Sequence, residues 1–135
     1  MDGSIGRLNG LTLAYVGDAV YELHIRHYLI KQGIVKPNNL HTAAVKFVAG
    51  KAQARIIYYF LDNDLLTEDE KRIVYRGRNA KSASIPKNIS VRDYRHSTGF
   101  EALLGYLYLL DENSRLLELL NTAVEFIERN DLDDV

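Results

Sequence analysis

Apolar residues recur at helical spacing along nearly the whole chain, and nowhere do apolar and polar residues alternate as they would in a half-buried strand. The architecture is therefore expected to be all-α, with helices packed on helices around one core. Leu13, Val16, Val20 and Leu23 mark one long helix from Leu11 to Ile30, ending near Gly33. Pro37, followed by Asn38 and Asn39, opens a second helix carrying Ala43, Ala44, Phe47 and Val48. Gly50 marks a joint before a third helix over residues 51–61. Thr67 and Glu70 have the spacing of a capping box and start a fourth helix that reaches about Arg78. From Asn79 to about Ser97 the chain is polar, contains Pro86 and shows no helical period, so it reads as a long loop of the kind that usually carries function. Thr98 is expected to cap a fifth helix with Phe100, Leu103, Leu104 and Leu107 inward. A last helix, from Asn113 or Ser114, buries Leu117, Leu120, Val124 and Ile127.

A length of 135 residues gives room for one domain with a proper core. The expected division is a flexible tail over 1–7, a folded domain over 8–130 and an acidic tail over 131–135. The absence of Cys excludes disulfides, thiolate catalysis and Cys-based zinc sites. No apolar run approaches a membrane span and the opening MDGSIGR lacks the apolar region of an export signal, so a cytoplasmic protein without a membrane partner is expected. The formal net charge of -1 hides an uneven distribution. Lys71, Arg72, Arg76, Arg78, Lys81, Lys87, Arg92 and Arg95 share a stretch in which Asp93 is the sole acid. That stretch is the natural surface for a polyanionic partner.

Two carboxylates attract attention. Asp18 lies among Val16, Gly17, Ala19 and Val20, small and apolar surroundings for a charge, although a solvated helix face would also accept it. Glu101 follows Thr98 by three, which fits a capping box equally well, and Gly105 one turn on would leave space for a hydrated ion or a closely crossing helix. His24 and His27 are three apart but lack a nearby third ligand for zinc. Asp93, His96 and Ser97 are too close in sequence for a catalytic triad.

Taken as strings, LTLAYVGDAVYELHIR resembles the signature of the ribonuclease III family, and FEALLGYLYLLD resembles that family's second carboxylate motif. RGRNAKS and YRHSTGFEALLGYLYL bring the resemblance closest to the Mini-ribonuclease III branch, whose members are the catalytic domain alone. The likeness spans about Leu8 to Arg129, so the region 8–130 is expected to be a ribonuclease III-like catalytic domain with that family's helical fold. It implies that Asp18 and Glu101 are the catalytic residues and metal ligands, with Mg2+ as cofactor and Mn2+ as a substitute, since hard oxygen ligands suit both ions. It departs from the larger enzymes at three places: Leu11, Ala14 and Thr98 stand where they carry further carboxylates. Glu22 is a possible compensating acid, and Thr98 a possible uncharged participant.

The resemblance further implies a homodimeric endoribonuclease, with Tyr15 as a dimer contact, that cuts double-stranded RNA to leave 5′-phosphate and 3′-hydroxyl ends. Its implied substrate is bacterial precursor large-subunit (23S) ribosomal RNA, and thus a role in ribosome biogenesis. Arg76, Arg78, Lys81, Lys87, Arg92 and Arg95 are expected to contact RNA phosphates. The alternative is a non-catalytic ribonuclease III-like module that binds RNA or a ribosome, a reading that the missing carboxylates favour and the presence of both Asp18 and Glu101 opposes.

Overall fold

The computed structural model describes residues 2–82 and 84–133, and among them every regular element is a helix. The order is α1 (Asp2–Ile5), α2 (Gly10–Lys31), α3 (Pro37–Val48), α4 (Gly50–Asp62), α5 (Glu68–Asn79), α6 (Val91–Leu109) and α7 (Asn113–Asp133). The all-α expectation holds. No helix among the described residues is long and apolar enough to cross a membrane.

Local chemistry sets most of the boundaries. The Asn9 side chain accepts the Leu11 N–H at 2.7 Å and caps α2. Gly33, at φ +90°, ends that helix, and the Ile34 N–H donates back to the Leu29 carbonyl at 3.1 Å, the long bond of a Schellman turn. Pro37 occupies the first turn of α3, where a missing N–H costs nothing. Both bonds of the Thr67–Glu70 capping box form.

Helix α6 runs through the middle of the fold, packed against α2, α4, α5 and α7, and Phe100, Leu103 and Leu104 are fully buried. The Tyr21 ring meets the Phe100 ring edge-on at 5.1 Å, and its hydroxyl donates to the Phe47 carbonyl at 2.8 Å, tying α2 to both α6 and α3. Helix α7 closes the core with Leu116, Leu119, Leu120, Ala123, Val124 and Ile127.

Four expectations change. Helix α6 begins at Val91, capped by Ser90, which accepts the Asp93 N–H at 3.0 Å. Thr98 is therefore mid-helix, with its hydroxyl donating to the Tyr94 carbonyl at 3.1 Å, and the loop shrinks to about residues 80–90. In α2 the inward face is Leu13, Ala14, Gly17, Tyr21, Ile25 and Leu29, while Leu23 is 71% exposed. In α7 Leu117 is exposed and Leu116 and Leu119 take the inward places. The segment expected as an N-terminal tail contains α1, and Ile5 is buried against Leu13, Ala14, Ile73 and Ala102. For 131–135, the side chains lie outside the described residues.

One buried ion pair fastens α7 to α5. Arg115 donates to both oxygens of Glu70, at 2.9 and 2.8 Å, and also to the Leu65 carbonyl at 2.7 Å. Burial pushes the Glu70 carboxyl up, but the bonds from Arg115 and Thr67 outweigh it and hold the group below its ordinary range. We predict that Arg115→Met costs about 3 kcal/mol in urea denaturation near neutral pH, because it strands a buried carboxylate. A carboxyl whose pKa is lowered by folding adds stability above its ordinary value and loses it as the pH falls. The deficit of the variant should accordingly shrink in acid, and a deficit independent of pH would contradict the assignment.

Candidate active site

The site is made by two glycines. A Cβ on Gly17 would lie 1.7 Å from the Glu101 carbonyl oxygen, and one on Gly105 would lie 1.9 Å from that of Leu13. Helices α2 and α6 therefore cross with their backbones touching, a separation that only glycine at both positions permits. The residue after Gly17 is Asp18, and Glu101 lies one turn before Gly105. The crossing brings the two carboxylates within hydrogen-bonding reach of each other. Of the two readings of Gly105, the close helix crossing is the one realised. Because Thr98 lies inside α6, Glu101 has no capping role.

Asp18 is exposed and Glu101 half-buried, and both line a cleft of about 480 Å³ shared with Lys51, Gln53, Asn88 and Tyr94. Burial, then the adjacent Asp18 charge and its hydrogen bond, push the Glu101 carboxyl up to about 8, against a smaller lowering by the Gln53 amide. Gln53 donates to Glu101 Oε2 at 3.4 Å. Such a pair of carboxyls, one holding its proton because of burial and the other's charge, is a poor arrangement for a bare protein and a good one for a divalent cation. The hard oxygens of Asp18 and Glu101 would suit Mg2+ or Mn2+.

The other candidates fall into place around this cleft. Among the described residues no three His, Cys, Asp or Glu side chains gather as a metal site. Glu22 pairs with Arg26 at 3.5 Å on the surface of α2. The imagined triad has other partners: Ser97 donates to the Tyr94 carbonyl at 2.7 Å, His96 Nδ1 faces the Arg92 carbonyl at 2.8 Å, and Asp93 accepts from the Tyr58 hydroxyl at 2.7 Å.

The basic residues divide. Arg78, Arg92 and Arg95 line one groove together with His96, on the side of the first turns of α6 facing away from Tyr94, Ser97 and Glu101. The Arg78 and Arg92 guanidinium groups lie over the rings of Tyr75 and Tyr58, at 4.6 and 4.5 Å. Lys81 and Lys87 are exposed on the loop, and Lys87 sits between Pro86 and Asn88 at the rim of the carboxylate cleft. Arg76 is turned elsewhere, with one guanidinium nitrogen donating to the carbonyls of Gly6 and Leu8. Tyr15, on the outer face of α2, is 82% exposed, so it takes no part in the core of this chain. Sequence reasoning overlooked Lys51 and Gln53, whose only signal is a pair of polar residues interleaved with the small ones of GKAQA.

Residues 11–112 match the Ribonuclease III domain family. The chain is 50% identical over 119 residues to Mini-ribonuclease 3 of Enterococcus faecalis, covering 88% of this chain and 90% of that one. It is 46% identical to Mini-ribonuclease 3 of Streptococcus pneumoniae, over 92% of this chain and 97% of the other. A solved structure from Fusobacterium nucleatum superposes with a TM-score of 0.78 at 31% identity, covering 87% of this chain and 93% of that one.

Proposed function

The chain belongs to the ribonuclease III family, and from that premise we propose that it is a metal-dependent endoribonuclease that cuts double-stranded RNA at the Asp18–Glu101 cleft. The observation that carries the metal reading is the glycine-mediated crossing of α2 and α6, which forces two carboxylates together at an open cleft. A fold needing only stability would not place Glu101 where burial and Asp18 both oppose its charge. A divalent cation held by Asp18 and Glu101 would supply Lewis acidity, neutralising charge on the phosphoryl group and making the attacking water more acidic. The chain's own contribution is to hold the two carboxylates at fixed separation and to offer cationic side chains to the flanking phosphates, with Lys51 lining the cleft and Lys87 on the loop between its lining residues Pro86 and Asn88.

The proposed substrate, which the resemblance of the sequence motifs implies, is precursor 23S ribosomal RNA, with products carrying 5′-phosphate and 3′-hydroxyl ends. A two-fold dimer would present two such clefts to the two antiparallel strands of a duplex. Tyr15 and Leu23, exposed on the outer face of α2, are its proposed contact. A single-chain mass by light scattering at micromolar concentration would overturn that part. The purified protein should cut duplex RNA with Mg2+ or Mn2+ and stop when chelator is added. Cleavage undiminished by chelator would refute the metal reading.

Grip on the duplex is assigned to Arg78, Lys81, Lys87, Arg92 and Arg95, with Arg76 the weakest candidate because it already serves the N-terminal segment. Removing one phosphate-binding side chain should flatten the plot of log affinity against log salt by a little under one unit. Arg78→Ala, Arg92→Ala and Arg95→Ala together are expected to weaken duplex binding and reduce that slope by about two to three units. An unchanged slope in filter-binding measurements would move the RNA to the Lys51 and Lys87 side alone.

A further inference from the structure

The least economical side chain in the molecule is Gln53. It sits on α4, is 4% exposed, and directs its amide nitrogen at two acceptors, the Val48 carbonyl at 3.1 Å and Glu101 Oε2 at 3.4 Å. Because the Val48 carbonyl can only accept, the nitrogen must point toward it and the orientation of the amide is fixed by chemistry. The other end then has nothing: Gln53 Oε1 is buried and has no hydrogen-bond partner. A buried acceptor without a donor destabilises a fold, whereas an apolar side chain of the same shape would not. The Val48 bond alone does not explain a glutamine here, because a side chain that only donates would serve that carbonyl and leave no orphan oxygen.

What remains is Glu101. We infer that Gln53 is a positioning residue for the carboxylate site, holding Glu101 Oε2 from the side of α4 so that the carboxyl faces Asp18 across the cleft in one orientation. The inference rests on the proposal that Asp18 and Glu101 bind a divalent cation. Two donors from α4, one anchored on the backbone at Val48 and the other on Glu101, brace the carboxylate in the manner of groups that orient metal ligands from behind.

The test is Mn2+ binding to the RNA-free protein by calorimetry, run beside thermal melting of the metal-free protein. Gln53→Met keeps the shape and removes both donors and the orphan acceptor. It should weaken Mn2+ affinity about tenfold while leaving Tm unchanged or raising it. Purely structural service would give the opposite pattern, a lower Tm with affinity unchanged, and that result overturns the inference. Gln53→Ala, which keeps a good helix former in α4, provides the check if the methionine variant does not fold. Its affinity must also fall, and affinity within twofold of the unsubstituted protein overturns the inference whatever its Tm. Asp18→Asn separates the metal site from its support. Mn2+ binding that is lost in Asp18→Asn but intact in both Gln53 variants refutes the role of Gln53 alone, whereas an unsubstituted protein that binds no Mn2+ refutes the metal site and this inference together.

Discussion

Gly17→Ala and Gly105→Ala are each expected to leave little folded protein at physiological temperature. The added methyl would sit 1.7 Å from the Glu101 carbonyl oxygen in the first case and 1.9 Å from the Leu13 carbonyl oxygen in the second. Both neighbours are helix backbone, which cannot rotate away as the end of a side chain could. Relief requires separating α2 from α6 and opening the Tyr21–Phe100 contact at the centre of the core. Alanine gains about 1 kcal/mol of helix propensity over glycine, far too little to offset that separation. The net loss should exceed about 4 kcal/mol, a large share of the 5–15 kcal/mol that typically holds a domain together. Gly6→Ala is the control: nothing lies within 4 Å of its Cβ, and a change of less than about 0.5 kcal/mol is expected. Urea denaturation followed by circular dichroism measures all three, and an alanine at Gly17 that costs about as little as one at Gly6 would refute the close crossing.

These glycines also show where the sequence was readable and where it was not. Helix existence and type came through because Pro37, Gly33 and the Thr67–Glu70 box act locally, within a few residues of where they stand. The inward face of α2 did not. Its apolar residues surround the helix, with Leu13 and Ile25 in the core but Tyr15 and Leu23 outside, and the residue that marks the buried side is Gly17, which carries no hydropathy signal at all. The start of α6 was misplaced at Thr98, whose spacing to Glu101 fits a capping box, whereas Ser90 caps the helix by accepting the Asp93 N–H. Tertiary packing sets the start, because Gly99 lies against the Val74 carbonyl with the helix already formed at Thr98. Asp18 and Glu101 were legible as a pair of motifs and not singly. Gln53 was illegible, since a glutamine between alanines on a helix is an ordinary surface residue until α4 is packed against α6. The basic stretch was visible as charge, but its division between a groove, a loop and the N-terminal segment depends on which way each turn of α5 and α6 faces.

Asp18→Asn and Glu101→Gln should each reduce cleavage of duplex RNA by about three orders of magnitude or more, since each removes a charge from the proposed metal site while keeping the side-chain shape. Lost folding could mimic lost chemistry, and the Glu101 carboxyl offers a way to tell them apart. Folding raises its pKa from 4.5 to about 8 through burial and the Asp18 charge. The folded protein therefore binds this proton more tightly than the unfolded chain does, and metal-free stability declines as the pH rises from about 4.5 to about 8, where the whole penalty is present. Glu101→Gln cannot ionise and escapes that penalty. In metal-free buffer the variant should match the unsubstituted protein near pH 5 and exceed it above pH 8, by an amount of order 1 kcal/mol or several degrees in Tm. Added Mn2+ should then reverse the order, because ligand binding stabilises only the protein that retains both carboxylates. A variant that is inactive, more stable without metal and indifferent to metal would place Glu101 in the chemistry. One that is inactive and less stable at every pH would instead make Glu101 a structural residue, and would leave Asp18 without its partner.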